Sequence, residues 1–563
     1  MRPAKLGVLI VAAWCAVSVA HAASQPALAR KGMVVSSSAI ASEVGAQALK
    51  DGGNAVDAAV ATAFALAVTH PSAGNIGGGG FLVYRSASGE AVSYDFRETA
   101  PAAASATMFL TNGAYDYSIH HEGHRSVGVP GTVAGLHLAW KQHGSLSWRR
   151  LLEPAIRLAG NGFTLSPALA AELRGELEGM KPYPASVAQF SNRGRPYEAG
   201  EILRQPDLAR TLRRIAVRGP AEFYEGETAR LIAKEMQSHG GLITLEDLEG
   251  YQARVAAPVR GNYRGFEIIG MPPPSSGGTA IIEILNVLEG YDLKAMGAGS
   301  AAALHLIAES MRRAFADRAQ YLGDPSFNPQ MPIDRLISKD YARGLRETID
   351  PVRASKSSPS NFTWAKESRE TTHLSAVDAQ RNAVALTYTL EYSYGSHIVV
   401  PGGGFLLNNE MGDFNAAPGL TSVEGEIGTP PNLAAPGKRM LSSMSPTILA
   451  RDGKLFMVTG SPGGRTIINT TLLTILNVVD FGMNAQEAVD AGRIHHQWLP
   501  DKLVYERLGF SPDTLALLRA RGHELEEGGW QGAAEVILHD AATGWLSGGV
   551  DRRESDGGVG KQQ

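Results

Sequence analysis

The sequence is almost without cysteine, and the one it has, Cys15, lies close to the amino terminus. Beyond that segment the chain therefore has no disulfide, no cysteine metal site and no thiol nucleophile. Neither sign of charge dominates, because 52 Lys and Arg stand against 56 Asp and Glu, for a net charge of −4. This balance gives no electrostatic reason to bind nucleic acid or an anionic membrane. We expect small-molecule partners.

The first 22 residues have the pattern of a secretory signal peptide. Arg2 and Lys5 precede an apolar stretch, residues 6–19, that is too short to span a bilayer. The segment ends in Ala20-His21-Ala22, which fits an A-x-A cleavage site. A membrane anchor or a buried first helix is the less favoured alternative. We predict removal of residues 1–22, no membrane anchor afterwards, and a periplasmic or secreted protein.

Several common catalytic motifs are missing from the sequence. It has no Gly-x-Ser-x-Gly elbow, which argues against an α/β-hydrolase. The glycine run at 77–80 is not followed by Gly-Lys-Ser/Thr, and it precedes a strand, so it is neither a phosphate loop nor a Rossmann turn. His120, His121, Glu122 and His124 do not form His-Glu-x-x-His, and Gly123 favours a solvated loop over a metal site. We expect the chemistry to need no metal or organic cofactor.

Helices and strands alternate along most of the chain. Two stretches lack this pattern: 350–370 reads as an exposed, cleavable linker and 416–438 as a mobile surface loop. The apolar patterns predict helices over 39–50, 55–68, 136–158, 203–236, 301–321, 467–479 and 485–491. They predict strands over 81–85, 91–96, 372–377, 383–389, 405–408, 445–449 and 455–459. A two-sheet, four-layer sandwich and other α/β folds fit this order equally well.

The most informative point is Thr371, which follows the linker directly and precedes a predicted strand. A threonine hydroxyl is a poor nucleophile without an adjacent base. An amino-terminal threonine carries its own base, because an α-amino group has a pKa of about 7.7–8.0. Cleavage of the peptide bond after Glu370 would make Thr371 such a residue. Taken alone, Thr371 and Thr372 are better explained as two ordinary strand threonines, because a Thr-Thr pair before a strand is common.

Eight ordered segments point to one family. They are DGGNAVDAA (51–59), AGNIGGGGF (73–81), DFRE (95–98), VPGTVAG (129–135), MPPPSSGG (271–278), TTH (371–373), LSSMSPT (441–447) and GSPGG (460–464). With these segments the chain resembles the γ-glutamyltranspeptidase family over the whole mature sequence. The resemblance implies an N-terminal-nucleophile αββα sandwich, made as a precursor. The precursor would cut itself between Glu370 and Thr371 into a large subunit, 23–370, and a small subunit, 371–563, which stay together.

The resemblance also implies the catalytic residues. Thr371 matches the nucleophile, and Thr389 matches a threonine that hydrogen-bonds it and assists maturation. Gly463 and Gly464 match the pair that forms the oxyanion hole, a task for which fixed backbone N–H groups are suited.

The donor-binding residues follow in the same way. A γ-glutamyl group carries a free α-carboxylate and a free α-ammonium, and a buried site must pair both. Arg97 matches the residue that grips the carboxylate, because a guanidinium can bind it with two hydrogen bonds. Ser442 and Ser443 match serines that add hydrogen bonds. Asp413 and Glu410 match the residues on the ammonium side.

Two positions depart from the family pattern. Glu391 stands where many members have asparagine, and with Glu410 and Asp413 it would place three carboxylates near one ammonium. Like charges disfavour joint ionisation, so we expect at least one raised pKa there. Glu424 stands where some bacterial members have a lid tyrosine. Since a lid controls the access of water and acceptors, the balance of hydrolysis and transfer does not carry over.

The resemblance implies a γ-glutamyltransferase and glutathione hydrolase. The γ-glutamyl group of glutathione or another γ-glutamyl amide would pass through an ester on Thr371 to water, an amino acid or a dipeptide. One alternative is a glutaryl or cephalosporin-type acylase of the same fold, whose donors lack the α-ammonium that Asp413 and Glu410 would pair. Another is a periplasmic glutathione-binding protein, which would have no use for Thr371 after a cleavable linker.

Overall fold

The computed structural model describes residues 24–358, 371–420 and 428–563. The predicted signal peptide, Glu370 and Glu424 lie outside the described residues, and so do parts of the two predicted irregular stretches. No described helix has both the length and the apolar character needed to cross a membrane.

Two sheets of seven strands each form the centre of the molecule. The first sheet has the order β1-β20-β19-β15-β14-β11-β10 and the second the order β21-β2-β12-β13-β3-β4-β9. Within each sheet, neighbouring strands are antiparallel. The strands of these and three smaller sheets are β1 (Ala27–Ala29), β2 (Gly32–Ser36), β3 (Gly79–Arg85), β4 (Ala91–Phe96), β5 (Leu110–Thr111), β6 (Ala114–Tyr115), β7 (Phe163–Thr164), β8 (Ile202–Leu203), β9 (Arg254–Ala256), β10 (Val259–Tyr263), β11 (Phe266–Gly270), β12 (Thr372–Val377), β13 (Ala383–Thr389), β14 (Thr447–Arg451), β15 (Lys454–Gly460), β16 (Ile494–His495), β17 (Leu503–Glu506), β18 (Leu525–Gly528), β19 (Glu535–His539), β20 (Leu546–Val550) and β21 (Gly558–Gln562).

The described residues contain nineteen α-helices. They are α1 (Ala39–Lys50), α2 (Ala55–Thr69), α3 (Tyr117–His121), α4 (Thr132–His143), α5 (Trp148–Asn161), α6 (Pro167–Met180), α7 (Pro184–Phe190), α8 (Pro206–Arg218), α9 (Pro220–Tyr224), α10 (Glu227–His239), α11 (Leu245–Glu249), α12 (Gly277–Leu288), α13 (Leu293–Met296), α14 (Ala301–Tyr321), α15 (Ile333–Leu336), α16 (Lys339–Glu347), α17 (Thr466–Val479), α18 (Ala485–Asp490) and α19 (Pro512–Ala520). Helices α1 and α2 pack on the second sheet, and α12, α17 and α18 pack on the first. The layers therefore run helix, sheet, sheet, helix.

Helix α2 shows how the sequence dictates this layering. Asn54 and Asp57 form a capping box at its start, which satisfies backbone N–H groups that have no partner within the helix. Every residue of α2 is buried, so the helix forms the centre of an apolar layer and has no solvent face. A second apolar cluster fills the space between the sheets, with Val35 and Phe81 on one side and Ile448 and Val458 on the other.

Most predicted elements are confirmed, and three are wrong. The helix predicted over 136–158 is two helices, α4 and α5, separated at Gly144. The helix predicted over 203–236 is interrupted at Gly219-Pro220 and at Gly226, because proline cannot continue a preceding helix and Gly219 has a positive φ of 65°. Residues 405–408 form a single bridge, Val399 to Leu406, in place of the predicted strand.

Candidate active site

Thr371 lies at the start of a central strand of the second sheet. Strand β12 begins at the next residue, pairs with β2 on one side and β13 on the other, and is buried along its whole length. The side chain of Thr371 is buried, with 5% of the residue exposed. A buried central strand gives the hydroxyl a rigid support, as a nucleophile requires.

Thr389, the last residue of β13, lies beside Thr371. The Thr371 hydroxyl donates to Thr389 Oγ1 over 3.4 Å, and the backbone N–H of Glu391 donates to the same oxygen over 2.9 Å. A hydroxyl oxygen can accept both bonds. Thr389 therefore ties the predicted nucleophile to the loop that carries Glu391.

A buried network of polar side chains contacts β12. Thr372 donates to Ser37, and Ser37 donates to Glu535 over 2.9 Å. His373 lies 2.7 Å from the hydroxyl of Thr387 on the neighbouring strand. Burial raises the pKa of Glu535 and lowers that of His373 to about 3, so both side chains are favoured as neutral groups in the space between the sheets.

Arg97 follows β4 and is completely buried. Its guanidinium contacts the carboxylates of Glu410 and Asp413 and donates to the backbone carbonyl oxygens of Met440 and Leu441, each over 3.3 Å. Four groups thus hold one cation in a fixed orientation. The carboxylates neutralise the buried charge, which would otherwise carry a large desolvation cost.

The acids around Arg97 share its single positive charge. Glu98 Oε2 lies 3.6 Å from Arg97 Nη1, and the Glu98 side chain is fully buried. Burial raises the pKa of Glu98 to about 8 and raises that of Glu410 well above its usual value, although Arg97 acts in the opposite direction on both. The expected raised pKa is therefore found, at Glu410.

Glu391 has a backbone φ of 80°, uncommon for a residue with a side chain and typical of functional sites. Its carboxylate lies 3.4 Å from His121 Nδ1. A Cβ atom on Gly412, between the two acids of the 3₁₀ turn Glu410–Asp413, would lie 2.4 Å from His121 Nδ1 and 2.5 Å from Glu391 Oε1. The three residues are therefore packed without spare space.

The predicted solvated loop around His120 is wrong. His120 and His121 belong to the short helix α3 and are buried, and His121 stacks against the rings of Tyr117 and Tyr392. Burial lowers the pKa of His121 to about 4. These aromatic contacts fix the position of the imidazole beside Glu391.

Ser442 and Ser443 lie on a loop held by the segment before α12. The backbone N–H of Ser442 donates to Pro274 over 2.9 Å, and that of Ser276 donates to Ser442 over 2.7 Å. The hydroxyl of Ser443 accepts a hydrogen bond from Arg318 Nη2 over 3.0 Å. Arg318 lies on the long helix α14, so this contact couples the serine loop to the helical layer.

Gly463 and Gly464 form the turn that begins α17. Their φ angles are 130° and 55°, a combination that favours glycine over other residues. Their carbonyl oxygens accept the N–H groups of Thr466 and Ile467. The start of a helix concentrates backbone N–H groups and suits a developing negative charge.

These separate elements converge on one small cavity. Its lining includes every predicted site residue except Gly463, which adjoins it: Arg97, Thr371, Thr389, Glu391, Glu410, Asp413, Ser442, Ser443, Met444, Gly464 and Ile467. A threonine hydroxyl, a turn glycine, a cation and a group of carboxylates therefore face the same space. The charges of this lining can pair both charges of a zwitterionic group.

Comparison with known proteins agrees with this arrangement. The family model of the gamma-glutamyltranspeptidases matches residues 41–560. The chain belongs to the gamma-glutamyltranspeptidase family. It is 47% identical over 536 residues to the glutathione hydrolase proenzyme of Escherichia coli (strain K12), covering 94% of this chain and 92% of that protein. It is 46% identical over 520 residues to the glutathione hydrolase proenzyme of Pseudomonas sp. (strain A14), covering 92% and 90%.

Solved structures of this family and of related acylases share the fold. The cephalosporin acylase of Bacillus halodurans superposes with a TM-score of 0.85 at 28% identity, over 96% of this chain and 97% of that one. The Helicobacter pylori gamma-glutamyltranspeptidase is 47% identical and gives a TM-score of 0.55, over 56% of this chain and 91% of that one. The predicted family, αββα sandwich and enzyme class, a γ-glutamyltransferase and glutathione hydrolase made as a proenzyme, are confirmed.

Three members of the site were missed by sequence reasoning about function. Glu98 lies inside the DFRE segment but carried no predicted role. His121 was considered only as a metal ligand. Arg318 had a weaker signal, an arginine within a long, largely buried helix. All three contact a side chain that lines the cavity, and such contacts depend on the folded arrangement.

Proposed function

We propose that Thr371 is the nucleophile of this γ-glutamyltransferase and glutathione hydrolase, and that it becomes amino-terminal when the precursor cuts itself after Glu370. The observation that carries the proposal is the shared cavity of Thr371, Arg97 and the carboxylates. Maturation begins when Thr371 Oγ attacks the carbonyl carbon of Glu370; the peptide bond to the Thr371 nitrogen breaks, and the hydroxyl proton passes to the α-amine that is released. The resulting ester is hydrolysed by water, which leaves the subunits 23–370 and 371–563.

Arg97 is paired with acids of its own site, and we infer that a bound donor separates the arginine from these acids. Arg97 contacts Asp413 and Glu410 directly in the structure. The α-carboxylate of a γ-glutamyl donor takes their place on Arg97, while its α-ammonium takes the place of Arg97 on the acids. Each buried charge keeps a partner of opposite sign throughout, which limits the desolvation cost of binding. Ser442 and Ser443 lie on the same cavity and add hydrogen bonds to the carboxylate.

Transfer then follows from the position of the γ-carbonyl near Thr371. The free α-amine of Thr371 takes the proton as Oγ attacks, and the N–H groups of Gly463 and Gly464 stabilise the oxyanion. The amine product leaves with a proton, and a γ-glutamyl ester remains on Thr371. Water releases glutamate, whereas an amino acid or dipeptide amine gives the transfer product. Each step uses groups of the chain alone.

The donors we propose are glutathione and other γ-glutamyl amides, and the place of action is the periplasm or the medium. The first is supported by the acids that line the ammonium side of the cavity. The second is supported by the signal-like pattern of residues 1–22.

The choice between a γ-glutamyl and a glutaryl donor is directly testable. We expect kcat/KM for γ-glutamyl-p-nitroanilide to exceed that for glutaryl-p-nitroanilide by at least about 100-fold, because a glutaryl group leaves the buried acids without a cation. Asp413→Asn should bring the kcat/KM values for the two compounds closer together. A higher kcat/KM for the glutaryl compound would make the enzyme an acylase, and binding of glutathione without turnover by cleaved protein would make it a binding protein.

A further inference from the structure

His124 lies close to two other potential metal ligands that are more than 100 residues further along the chain. His124, at the start of the 3₁₀ turn His124–Ser126, lies with its Nε2 2.9 Å from Glu235 Oε1. His239 Nδ1 lies 3.2 Å from the same oxygen. Among the described residues this is the one group of three such side chains whose ligand atoms all lie within 4.8 Å of one another.

We propose that His124, Glu235 and His239 form a binding site for a divalent transition-metal cation of the Zn²⁺ type. Two imidazoles and one carboxylate are a ligand set that such ions accept, with bonds of about 2.0–2.2 Å. Ligand atoms around a tetrahedral ion with bonds of this length lie about 3.3–3.6 Å apart. The two separations from Glu235 Oε1, 2.9 Å to His124 and 3.2 Å to His239, are each within about 0.7 Å of that range.

The fold holds His124 and Glu235 in position before any ion binds. Glu235 and His239 are one turn apart on α10, so their side chains lie on the same face of the helix. The side chains of His124 and Glu235 are only 8% and 12% exposed. A Cβ atom on Gly241 would lie 3.1 Å from His124 Cβ, which shows how closely the chain packs behind this ring.

The third ligand leaves the site open to solvent. The His239 side chain is 53% exposed, so an ion can enter and keep a water ligand there. Its Nδ1 also lies 3.0 Å from the backbone carbonyl of Glu235, a contact that the ion would replace. The imidazoles of His124 and His239 stack at 4.7 Å with an angle of 14° between their planes. Because an ion lies close to the plane of each imidazole that binds it, the exposed His239 ring would rotate when the ion binds.

The bound ion would link helix α10 to the chain segment that carries His121 beside the donor site. His124 comes three residues after His121, whose ring lies beside Glu391. A cation would clamp this segment to α10 and restrict its motion. The ion takes no part in the transfer chemistry, because the ligands are separate from the cavity that holds Thr371.

Zinc binding to tag-free, EDTA-treated mature enzyme tests the proposal. The affinity is measured by competition with a chromophoric zinc chelator, and thermal unfolding is followed with and without Zn²⁺. We expect one Zn²⁺ per molecule in the low-micromolar range or tighter, and a higher midpoint of unfolding with Zn²⁺, because a ligand of the native state stabilises it.

His239→Ala and Glu235→Gln are the test variants. Loss even of an outer-shell partner typically weakens metal sites ~10–100-fold, so each should weaken binding at least about tenfold. Glu176→Gln is the matched control, because Glu176 lies 2.9 Å from His397 in a histidine–glutamate pair outside the proposed site. It should bind zinc as the unaltered enzyme does. The proposal is overturned if the unaltered enzyme binds no zinc, or if either test variant binds it as tightly as the control.

Discussion

At the scale of single residues, the site depends on one buried cation and the acids that share it. Arg97 is held by Glu410 and Asp413, and its guanidinium has the planar fork that matches a carboxylate. We therefore expect donor binding to depend on the geometry of this side chain as well as on its charge.

Replacing Arg97 by lysine tests this dependence. Lysine keeps the charge but cannot bind a carboxylate with two parallel hydrogen bonds. We expect Arg97→Lys to raise KM for γ-glutamyl-p-nitroanilide at least about tenfold, a loss of ~1.4 kcal/mol of binding. Arg157→Lys, at a side chain that is 59% exposed, should leave KM unchanged. An unchanged KM in Arg97→Lys would remove this residue from donor recognition.

Glu98 makes stability depend on pH in a defined direction. Its pKa is raised in the folded protein to about 8, from about 4.5, so the folded state binds the proton more tightly than the unfolded state. The stability associated with the protonated group is complete below pH 4.5 and is lost as the pH rises through 8. Glu98→Gln stays neutral and lacks this loss. We expect the midpoint of thermal unfolding of the unaltered protein to fall further between pH 5 and pH 8.5 than that of the variant; equal falls would contradict the buried-acid assignment.

Gly412 lies where the structure leaves no room for a side chain. A methyl group there would overlap His121 and Glu391, so Gly412→Ala must displace the turn that carries Glu410 and Asp413. We expect kcat/KM for the γ-glutamyl donor to fall at least about tenfold, because small misplacements of positioning groups are costly. Gly175→Ala, where a Cβ meets no atom within 4 Å, is the control. Equal activity of both variants would show that the turn is not constrained.

At the scale of elements, the residue pattern of a segment predicts the helices and strands whose formation depends mainly on that segment. The alternating stretches 372–377 and 383–389 match β12 and β13 residue for residue, and so do the helices 39–50 and 301–321. The break at Gly219-Pro220 was also readable in the sequence, yet the apolar period across it favoured one long helix. The contacts of His121 with Glu391 and of Arg318 with Ser443 were not readable, since each joins elements that are more than 100 residues apart in the sequence.

The two sheets pack tightly against each other at β12, the strand that follows Thr371. A Cβ atom on Gly460, at the end of β15, would lie 2.3 Å from the ring of His373 on β12. We expect Gly460→Ala to push these strands apart and to slow precursor cleavage, measured as the uncut fraction on denaturing gels over time. Gly344→Ala, where a Cβ meets no atom within 4 Å, should mature normally. Normal cleavage of both variants would mean that the position of β12 tolerates this displacement.

At the scale of the whole molecule, the two proposed subunits are interleaved within each sheet. Strands β12 and β13 of the small subunit lie between β2 and β3 of the large subunit, and β14, β15, β19 and β20 of the small subunit lie between β1 and β11 of the large one. Separating the subunits would expose both sheets and their shared core. This explains how one catalytic unit can persist after its chain is cut.

The central claim is that Thr371 becomes the amino-terminal nucleophile by cleavage after Glu370. Intact mass and amino-terminal sequencing of the purified unaltered protein and of Thr371→Ala test it most directly. We predict two chains for the unaltered protein, the smaller one beginning Thr-Thr-His-Leu, and one uncut, inactive chain for Thr371→Ala. A single uncut chain that releases glutamate from glutathione, or a Thr371→Ala chain that still divides at 370/371, would contradict the account.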